Sequence, residues 1–348
     1  MVEKKYVVVW SALIALLFAA VLTTNWLMDP YRLHQGEVHR FATAVEPNTR
    51  FLKLNYLKEH CGEFDAILFG TSRDALYDSR YFDRLFNTRA YNFSVNGESL
   101  TGMLKKLEWL LSRGCRPERI LIPLSFDHIT LTDYAHDHND LIRLEPPEIN
   151  PAIGWSDLFV KYYFNADVFL FNLNLIAADL TGTFPETRFD YDLTRGNVSY
   201  HWDHTFSIDP CPPATKKLKN SEIRRYHNKL REIIRTAHNH DITPTVVLSP
   251  APIGLLMRHD PQAMREYLYQ LAEFVPFIQR LPLEDERQAH SDHFHDFLHP
   301  KAPLLHDALI PSNGIPTLQL IDELQARREM CAASAASTAS AETIESST

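Results

Sequence analysis

Glycine is scarce in this chain: there are 11 glycines among 348 residues, beside 21 prolines, whereas glycine makes up roughly 7% of an average protein. The hydrophobic share of 45% and the charged share of 23% are those of an ordinary globular protein, and they exclude a disordered chain, a collagen and a coiled coil. In such a chain a glycine is expected where the backbone geometry demands one.

An excess of positive charge is also lacking. Lys and Arg number 35 and Asp and Glu number 44, so the net charge is 35 − 44 = −9 at neutral pH. Nucleic-acid phosphates are bound by clustered Lys and Arg. The balance therefore argues against a nucleic-acid partner, and we predict none.

Long apolar runs are lacking except at the N-terminus, where Tyr6–Met28 contains no charged residue. At 1.5 Å per residue this helix would be about 34 Å long, enough to cross a bilayer. Lys4 and Lys5 precede the run, and the positive-inside rule then keeps residues 1–28 as a cytoplasmic start and anchor and exports the remainder. A cleaved signal peptide is the alternative, but the run is long for one, and no A-x-A-like site precedes Asp29.

Cysteines are few, at Cys61, Cys115, Cys211 and Cys331, and an exported chain can pair them. Cys61 and Cys115 each lie shortly before an apolar run. If the two runs are adjacent parallel strands, the thiols meet at one end of the sheet, and we predict a Cys61–Cys115 disulfide. The alternative is two buried free thiols, and no partner is evident for Cys211 or Cys331.

Apolar strand patterns alternate with helical patterns along most of the chain, which predicts an α/β fold with a parallel sheet flanked by helices. The predicted strands are 65–70, 90–93, 119–124 and 243–248, and the main predicted helices are 50–60, 100–111, 221–239 and 261–274.

The pattern also predicts the domain organisation. Residues 29–52 are a polar connector, and 53–327 form the α/β domain. Within it, about 129–219 breaks the pattern and is interpreted as an inserted, partly helical cap region. The Ala-, Ser-, Thr- and Glu-rich tail 328–348 is predicted to be disordered.

A first candidate for chemistry follows the first strand, in Phe69-Gly70-Thr71-Ser72-Arg73. A serine here lies at the carboxyl edge of the sheet, where open α/β folds bind ligands. The helix expected to follow would offer N–H groups to an oxyanion. Alternatively, Thr71 to Asp74 is a helix-capping box.

A second candidate is Asp296-Phe297-Leu298-His299 near the end of the folded part. The carboxylate can hold one imidazole nitrogen while the other faces a nucleophile, as in serine hydrolases. An ordinary surface loop is one alternative. Metal binding by His290, His293, His295 and His299 with Asp292 and Asp296 is another, but the spacing matches no zinc signature, and we predict no metal.

The third candidate is the turn after the second strand, Asn92-Phe93-Ser94-Val95-Asn96-Gly97. The N–H of Gly97 can point toward the edge that holds Ser72 and so give a second oxyanion donor. The alternative is an ordinary Asn-Gly turn.

In their order along the chain, the three motifs resemble those of the SGNH (GDSL-like) hydrolase superfamily, and the resemblance covers about 66–299. The resemblance implies a flavodoxin-like three-layer fold without a cofactor, with Ser72 as nucleophile, Asp296 and His299 as acid and base, and the N–H groups of Ser72 and Gly97 as the oxyanion hole.

Two positions depart from the family pattern. Thr71 replaces the usual Asp before the serine, and Asp127 stands where an Asn usually faces the oxyanion. An ionised Asp127 would repel a developing oxyanion. Further candidates for contact with substrate are Arg73, Asn96, Asp127 and Trp202, the last within an aromatic insertion that could stack on sugars.

Together with the anchor, the chain resembles the membrane-anchored alginate-acetylation and teichoic-acid D-alanylation proteins. That likeness implies a bacterial inner-membrane protein with its C-terminal domain outside the cytoplasm, acting as a serine acyltransferase or esterase. The implied partners are an acyl donor, a cell-envelope polysaccharide and a multi-span membrane-bound O-acyltransferase. A non-catalytic polysaccharide-binding or assembly subunit is the alternative.

Overall fold

The computed structural model describes residues 2–34, 46–126, 129, 140–183, 189–201, 204–296, 298–310 and 314–345. The chain divides into two compact units. The first comprises Met1–Cys61 and His136–Leu193, and the second comprises Gly62–Ala135 and Thr194–Thr348.

Helices and strands alternate along most of the described residues. In chain order, the helices are α1 (Val2–Met28), α2 (Thr49–His60), α3 (Ser79–Phe86), α4 (Leu100–Ser112), α5 (Trp155–Leu158), α6 (Ala166–Thr181), α7 (Asn220–His238), α8 (Ile253–Met257), α9 (Pro261–Ala272), α10 (Ala302–Ala308) and α11 (Gln319–Glu345). The strands are β1 (Ala66–Leu68), β2 (Ala90–Asn92), β3 (Arg119–Leu124), β4 (Phe189–Asp192), β5 (Asn197–Tyr200), β6 (Thr243–Leu248), β7 (Phe277–Gln279) and β8 (Gly314–Pro316).

The first unit contains the predicted N-terminal apolar helix. An 18-residue window within its segment Lys5–Met28 has a mean hydropathy of 2.4, and this is the one helix among the described residues that is long and apolar enough to cross a membrane. A single candidate span is therefore confirmed at the level of length and composition.

The grouping of residues in the first unit differs from the predicted domain boundaries, which stay a prediction. Residues 136–193 do not cluster with the sheet but with the first 61 residues, which include the predicted connector, whereas 194–219 cluster with the sheet. Polar contacts explain this grouping: the Asn48 side chain donates to the carbonyls of Leu141 and Leu144, each at 2.8 Å, and Arg50 pairs with Glu145 in a buried ion pair. Sequence periodicity carries no signal for such long-range pairs.

The second unit is built on a six-stranded sheet with the order β2-β1-β3-β6-β7-β8. All neighbours are parallel except β7 and β8. When the strands of this sheet alone are numbered along the chain, the five from β2 to β7 have the order 2-1-3-4-5, which is compatible with a flavodoxin-like fold. The α/β prediction is confirmed, and β3 and β6 have the predicted bounds; β7 and β8 were not predicted.

Helices cover the buried sheet. Ala66, Leu68, Leu121 and Val247 of three strands share a cluster with Phe82 of α3 and with Leu304 and Leu305 of α10. Helix α7 packs against α4, α9 and β6. Strands buried in this way read as continuous apolar runs, which is why the four predicted strands could be found.

All four cysteines are in disulfide bonds. Cys61 and Cys115, which the sequence predicts to be paired, are both bonded, and the strands that follow them, β1 and β3, are parallel neighbours. Cys211 is bonded to Cys331, 120 positions away, a pair that the sequence did not indicate.

Helix α11 continues to Glu345, whereas the sequence predicts a disordered tail from residue 328. Alanine and glutamate are good helix formers. The disulfide at Cys331 ties this helix to Cys211, and Leu320 and Leu324 near its start are buried.

Candidate active site

The turn after β1 places a serine at the carboxyl edge of the sheet. Gly70 has a φ of 154°, and a Cβ at this position would lie 2.3 Å from the Cβ of Asp74. Only glycine tolerates both the backbone conformation and the close approach. The chain then turns, so that Ser72 follows Gly70 and Thr71 with its side chain partly exposed.

Three predicted residues meet at this turn. The Ser72 Oγ lies 3.0 Å from the His299 Nε2. The His299 Nδ1 lies 2.9 Å and 2.8 Å from the two carboxylate oxygens of Asp296. Because an ionised carboxylate only accepts hydrogen bonds, His299 donates from Nδ1, and its Nε2 accepts from the Ser72 hydroxyl. This is the geometry of a nucleophile, a base and a group that orients the base.

Backbone hydrogen bonds hold the carboxylate of Asp296 in place. Its Oδ1 accepts from the backbone N–H of Leu298 at 2.7 Å and of His299 at 2.9 Å. Burial by itself raises the pKa of Asp296, but hydrogen bonding and charge from His299, with the two N–H groups, outweigh it and lower the pKa to about 2. Asp296 is therefore ionised at neutral pH.

Arg73 and Ser125 connect the ends of β1 and β3. The buried guanidinium of Arg73 donates from Nη1 to the Ser125 Oγ at 2.9 Å. The strand order reverses between β1 and β3, the place where open α/β sheets form a ligand crevice. Arg73 therefore lies at the predicted edge. Asp127 and Trp202, the other charged and aromatic candidates, lie outside the described residues.

The Asn96-Gly97 turn is next to the serine turn. The Val95 N–H donates to the Gly70 carbonyl at 3.0 Å, and Gly97 has a φ of 58°, in the left-handed region that favours glycine. Both residues are half-buried. The position of the turn is as expected, and the role of Gly97 as an oxyanion donor stays a prediction.

The segment after Ser72 differs from the expected helix. Only a three-residue 3₁₀ helix, Asp74–Leu76, follows, and no side chain caps it. A helix this short contributes little dipole to an oxyanion. Half of the predicted capping box is present: the Asp74 Oδ2 accepts from the Thr71 N–H at 2.7 Å and from the Thr71 hydroxyl at 3.0 Å.

The Asp74 side chain also contacts the residue that follows β6, and the sequence did not indicate this contact. Its Oδ1 accepts from the Ser249 hydroxyl at 2.5 Å, and Ser249 directly follows β6. Burial raises the pKa of the Asp74 carboxyl against the lowering effect of these bonds and of Arg73. The carboxyl thus ties the serine turn to the end of a strand two positions away in the sheet.

Two further residues support the site. Asn92, at the end of β2, donates from Nδ2 to the carbonyls of Asp74, Ala75 and Tyr77 at 2.9 to 3.2 Å. The Tyr200 hydroxyl donates to the Ser72 carbonyl at 3.4 Å, and its ring meets the His299 ring edge-on at 5.4 Å between centroids. The signal for Asn92 was an amide at the end of an otherwise apolar strand.

The histidine-rich loop is not arranged as a metal site in the part of the chain that the structure describes, where no group of three His, Cys, Asp or Glu side chains could hold an ion. In particular, Asp296 is hydrogen-bonded to the Nδ1 of His299, and the Nε2 of His299 faces Ser72.

Comparison of the chain with models of protein families, with curated proteins and with solved structures finds no match.

Proposed function

We propose that this chain is a membrane-anchored serine acyltransferase or esterase of the SGNH type that acts on a cell-envelope polysaccharide. The observation that carries the proposal is the continuous contact from the Ser72 Oγ through His299 to Asp296. Ser72 and His299 are 227 positions apart. Helix capping, the simpler interpretation of the serine turn, involves Thr71 and Asp74 and leaves this contact unexplained.

The geometry supports acyl transfer in two steps. His299 Nε2 takes the hydroxyl proton as the Ser72 Oγ bonds to the acyl carbon, and the carbonyl becomes an oxyanion. When the oxyanion collapses, the ester bond of the donor breaks, and the leaving oxygen takes the proton from His299. A polysaccharide hydroxyl or water then loses its proton to His299 as it attacks the carbonyl of the acyl-enzyme. The ester bond to the Ser72 Oγ breaks, and His299 returns the proton to this oxygen, which restores Ser72.

Asp296 would support both steps in the same way. Its carboxylate holds the Nδ1–H, so that Nε2 is free to accept, and its charge stabilises the imidazolium that forms. For the oxyanion we assign the N–H groups of Ser72 and Gly97, in accordance with the resemblance to SGNH hydrolases. The conformation of Gly97 and its place beside Gly70 are consistent with this role.

The location follows from the anchor and the disulfides. Lys4 and Lys5 before an uncharged run of 23 residues favour a cytoplasmic N-terminus, and disulfides persist in oxidising compartments. We therefore place the protein in a bacterial inner membrane as a single-pass protein with its C-terminal domain on the extracytoplasmic side. A multi-span membrane-bound O-acyltransferase would supply the acyl group.

The test is ester hydrolysis by the full chain in detergent, with p-nitrophenyl acetate as the model substrate. We expect release of acetate by the wild type, with a loss of about 100-fold or more in Ser72→Ala and His299→Ala. The two losses should be similar, because the groups act as a unit. Ser291→Ala, a half-buried serine on the same loop as His299, is the matched control and should retain the wild-type rate.

Equal rates for the wild type and Ser72→Ala would end the enzyme proposal. The alternative, a non-catalytic polysaccharide-binding or assembly subunit beside an O-acyltransferase, would then be favoured.

A further inference from the structure

Exposed apolar side chains are concentrated in one segment of the first unit. Between residues 155 and 180 these are Trp155, Phe159, Val160, Phe164, Leu170, Leu173 and Leu180. Val160 is 63% exposed and Leu180 is 82% exposed. Elsewhere beyond the anchor, the described residues offer only Tyr269, Phe277, Leu318 and Met330 as large exposed apolar side chains. Single exposed apolar residues are ordinary, but a cluster of this kind marks an interaction surface.

The same segment packs on the anchor helix α1. Asn25 of α1 is buried, and its Nδ2 donates to the carbonyls of Tyr163 and Asn165, each at 3.0 Å. Asn172 of α6 donates in turn to the Asn25 Oδ1 at 3.0 Å. The segment is thus hydrogen-bonded to α1 through the side chain of Asn25.

The depth of the contact is set by the position of these residues along α1. Phe164 meets Phe18 with ring centroids 6.0 Å apart. Phe18 is ten positions before Met28, where α1 ends, which corresponds to about 15 Å along a helix. If α1 crosses a bilayer, Phe164 therefore lies inside the hydrocarbon region or at its boundary.

Helix α6 is apolar on its exposed side as well as on its buried side. Val168 and Leu175 are buried together with Asn172, whereas Leu170 and Leu173 are 56% and 42% exposed. The eleven residues from Val168 to Ala178 carry no charge, and Asp167 and Asp179 bracket them. A helix of a water-soluble protein places its apolar stripe inward and its polar side outward.

We propose that Trp155–Leu180 is a second membrane element, which inserts its exposed side chains among the lipid acyl chains of the leaflet where α1 ends. The inference rests on the membrane anchoring proposed above. The element does not span, because the 16 residues of α6 extend only about 24 Å against a hydrocarbon core of about 30 Å. Its flanking aspartates stay hydrated at the headgroups of that leaflet, while Phe164 reaches into the acyl chains beside Phe18.

The test places a photoreactive benzophenone amino acid at single positions of the full chain, reconstituted in vesicles of phosphatidylethanolamine and phosphatidylglycerol. Val160 and Leu173 are the test positions. Leu17 of the anchor, 61% exposed, is the lipid control, and Tyr269, 54% exposed on α9 of the other unit, is the matched aqueous control. Phospholipid adducts are measured by mass spectrometry after irradiation.

We expect lipid adducts at Val160 and Leu173 with yields similar to that at Leu17 and several-fold above that at Tyr269. Yields equal to that at Tyr269 would overturn the inference, as would crosslinks to a second protein chain without lipid adducts. An adduct at Leu17 alone would leave the anchoring intact and refute only this inference. Absence of adducts at all four positions would refute the anchoring as well.

Discussion

Replacement of Asp296 by asparagine isolates the role of its charge from its role in the loop. The Oδ1 accepts from two backbone N–H groups at 2.7 and 2.9 Å. An asparagine whose carbonyl takes this position keeps both bonds. The opposite orientation would set the amide NH₂ against two donors, which is unfavourable. The loop should therefore fold as in the wild type, with the amide nitrogen in the place of Oδ2.

That orientation changes which ring nitrogen of His299 is favoured to carry the proton. The NH₂ group would lie 2.8 Å from the His299 Nδ1, the distance that Oδ2 has now. The carbonyl oxygen stays 2.9 Å from Nδ1, but the amide NH₂ only donates and opposes the Nδ1–H. The balance therefore shifts toward the tautomer with its proton on Nε2, which cannot take the proton of Ser72. We expect the rate of covalent labelling of Ser72 by a fluorophosphonate to fall by about 10²- to 10⁴-fold.

Stability should change much less than reactivity. The pKa of Asp296 is lowered from 3.8 to about 2, so its contribution is present above pH 3.8 and is lost as the pH falls through about 2. The loss of this charge costs roughly 2 kcal/mol at neutral pH at most. The assay compares labelling rates of Asp296→Asn and wild type at a temperature where urea unfolding shows both to be folded. A folded variant that labels at the wild-type rate would refute the assignment of Asp296 as the group that sets the tautomer.

Three other predictions concern the second unit. Asp74→Ala leaves the buried Thr71 N–H without its acceptor and should lower the free energy of unfolding in urea by about 1–3 kcal/mol; an unchanged value would show that the tie is dispensable. Burial lowers the pKa of His227 from 6.5 to about 4, so between pH 6.5 and pH 4 this imidazole binds a proton in the unfolded state but not in the folded state. The wild type should lose up to about 3 kcal/mol of stability as the pH falls from 6.5 to 4, and His227→Gln should lose distinctly less. Cys331→Ser opens a bridge between residues 120 positions apart and should lower the free energy of unfolding by up to about 5 kcal/mol in the same urea assay. An unfolding midpoint equal to that of the wild type would mean that tying α11 to Cys211 contributes little to the fold.

The parts of the fold that sequence could predict are those with a strong local pattern. The strand β3 is a six-residue run that is mostly apolar and buried, and β6 ends in the buried residues Val246, Val247 and Leu248. The bounds of both strands were predicted correctly. The strands β7 and β8 have three residues each and are partly exposed. The strands β1 and β2 are equally short but fully buried, so only they lie in continuous apolar runs that the sequence shows.

The candidate site was predicted where a residue type and its position after a strand both carry information. Ser72 was found in this way and His299 from its spacing to Asp296, and the structure brings the two together. The ties made by Asp74 and Ser249 could not be predicted, because they depend on β6 lying beside β3, a pairing between distant parts of the chain. The same holds for Arg50 with Glu145 and for Asn25 with Asn172, whose partners no local pattern indicates.

Covalent modification of one serine is the most direct test of the proposed function. The full chain is treated with a fluorophosphonate and digested, and the peptide that contains Ser72 is analysed by mass spectrometry beside Ser72→Ala and Ser291→Ala. We expect an adduct on Ser72 in the wild type and in Ser291→Ala, and none at residue 72 in Ser72→Ala. A folded wild type without an adduct on Ser72, or with the same adducts as Ser72→Ala, would contradict the assignment of Ser72 as the nucleophile.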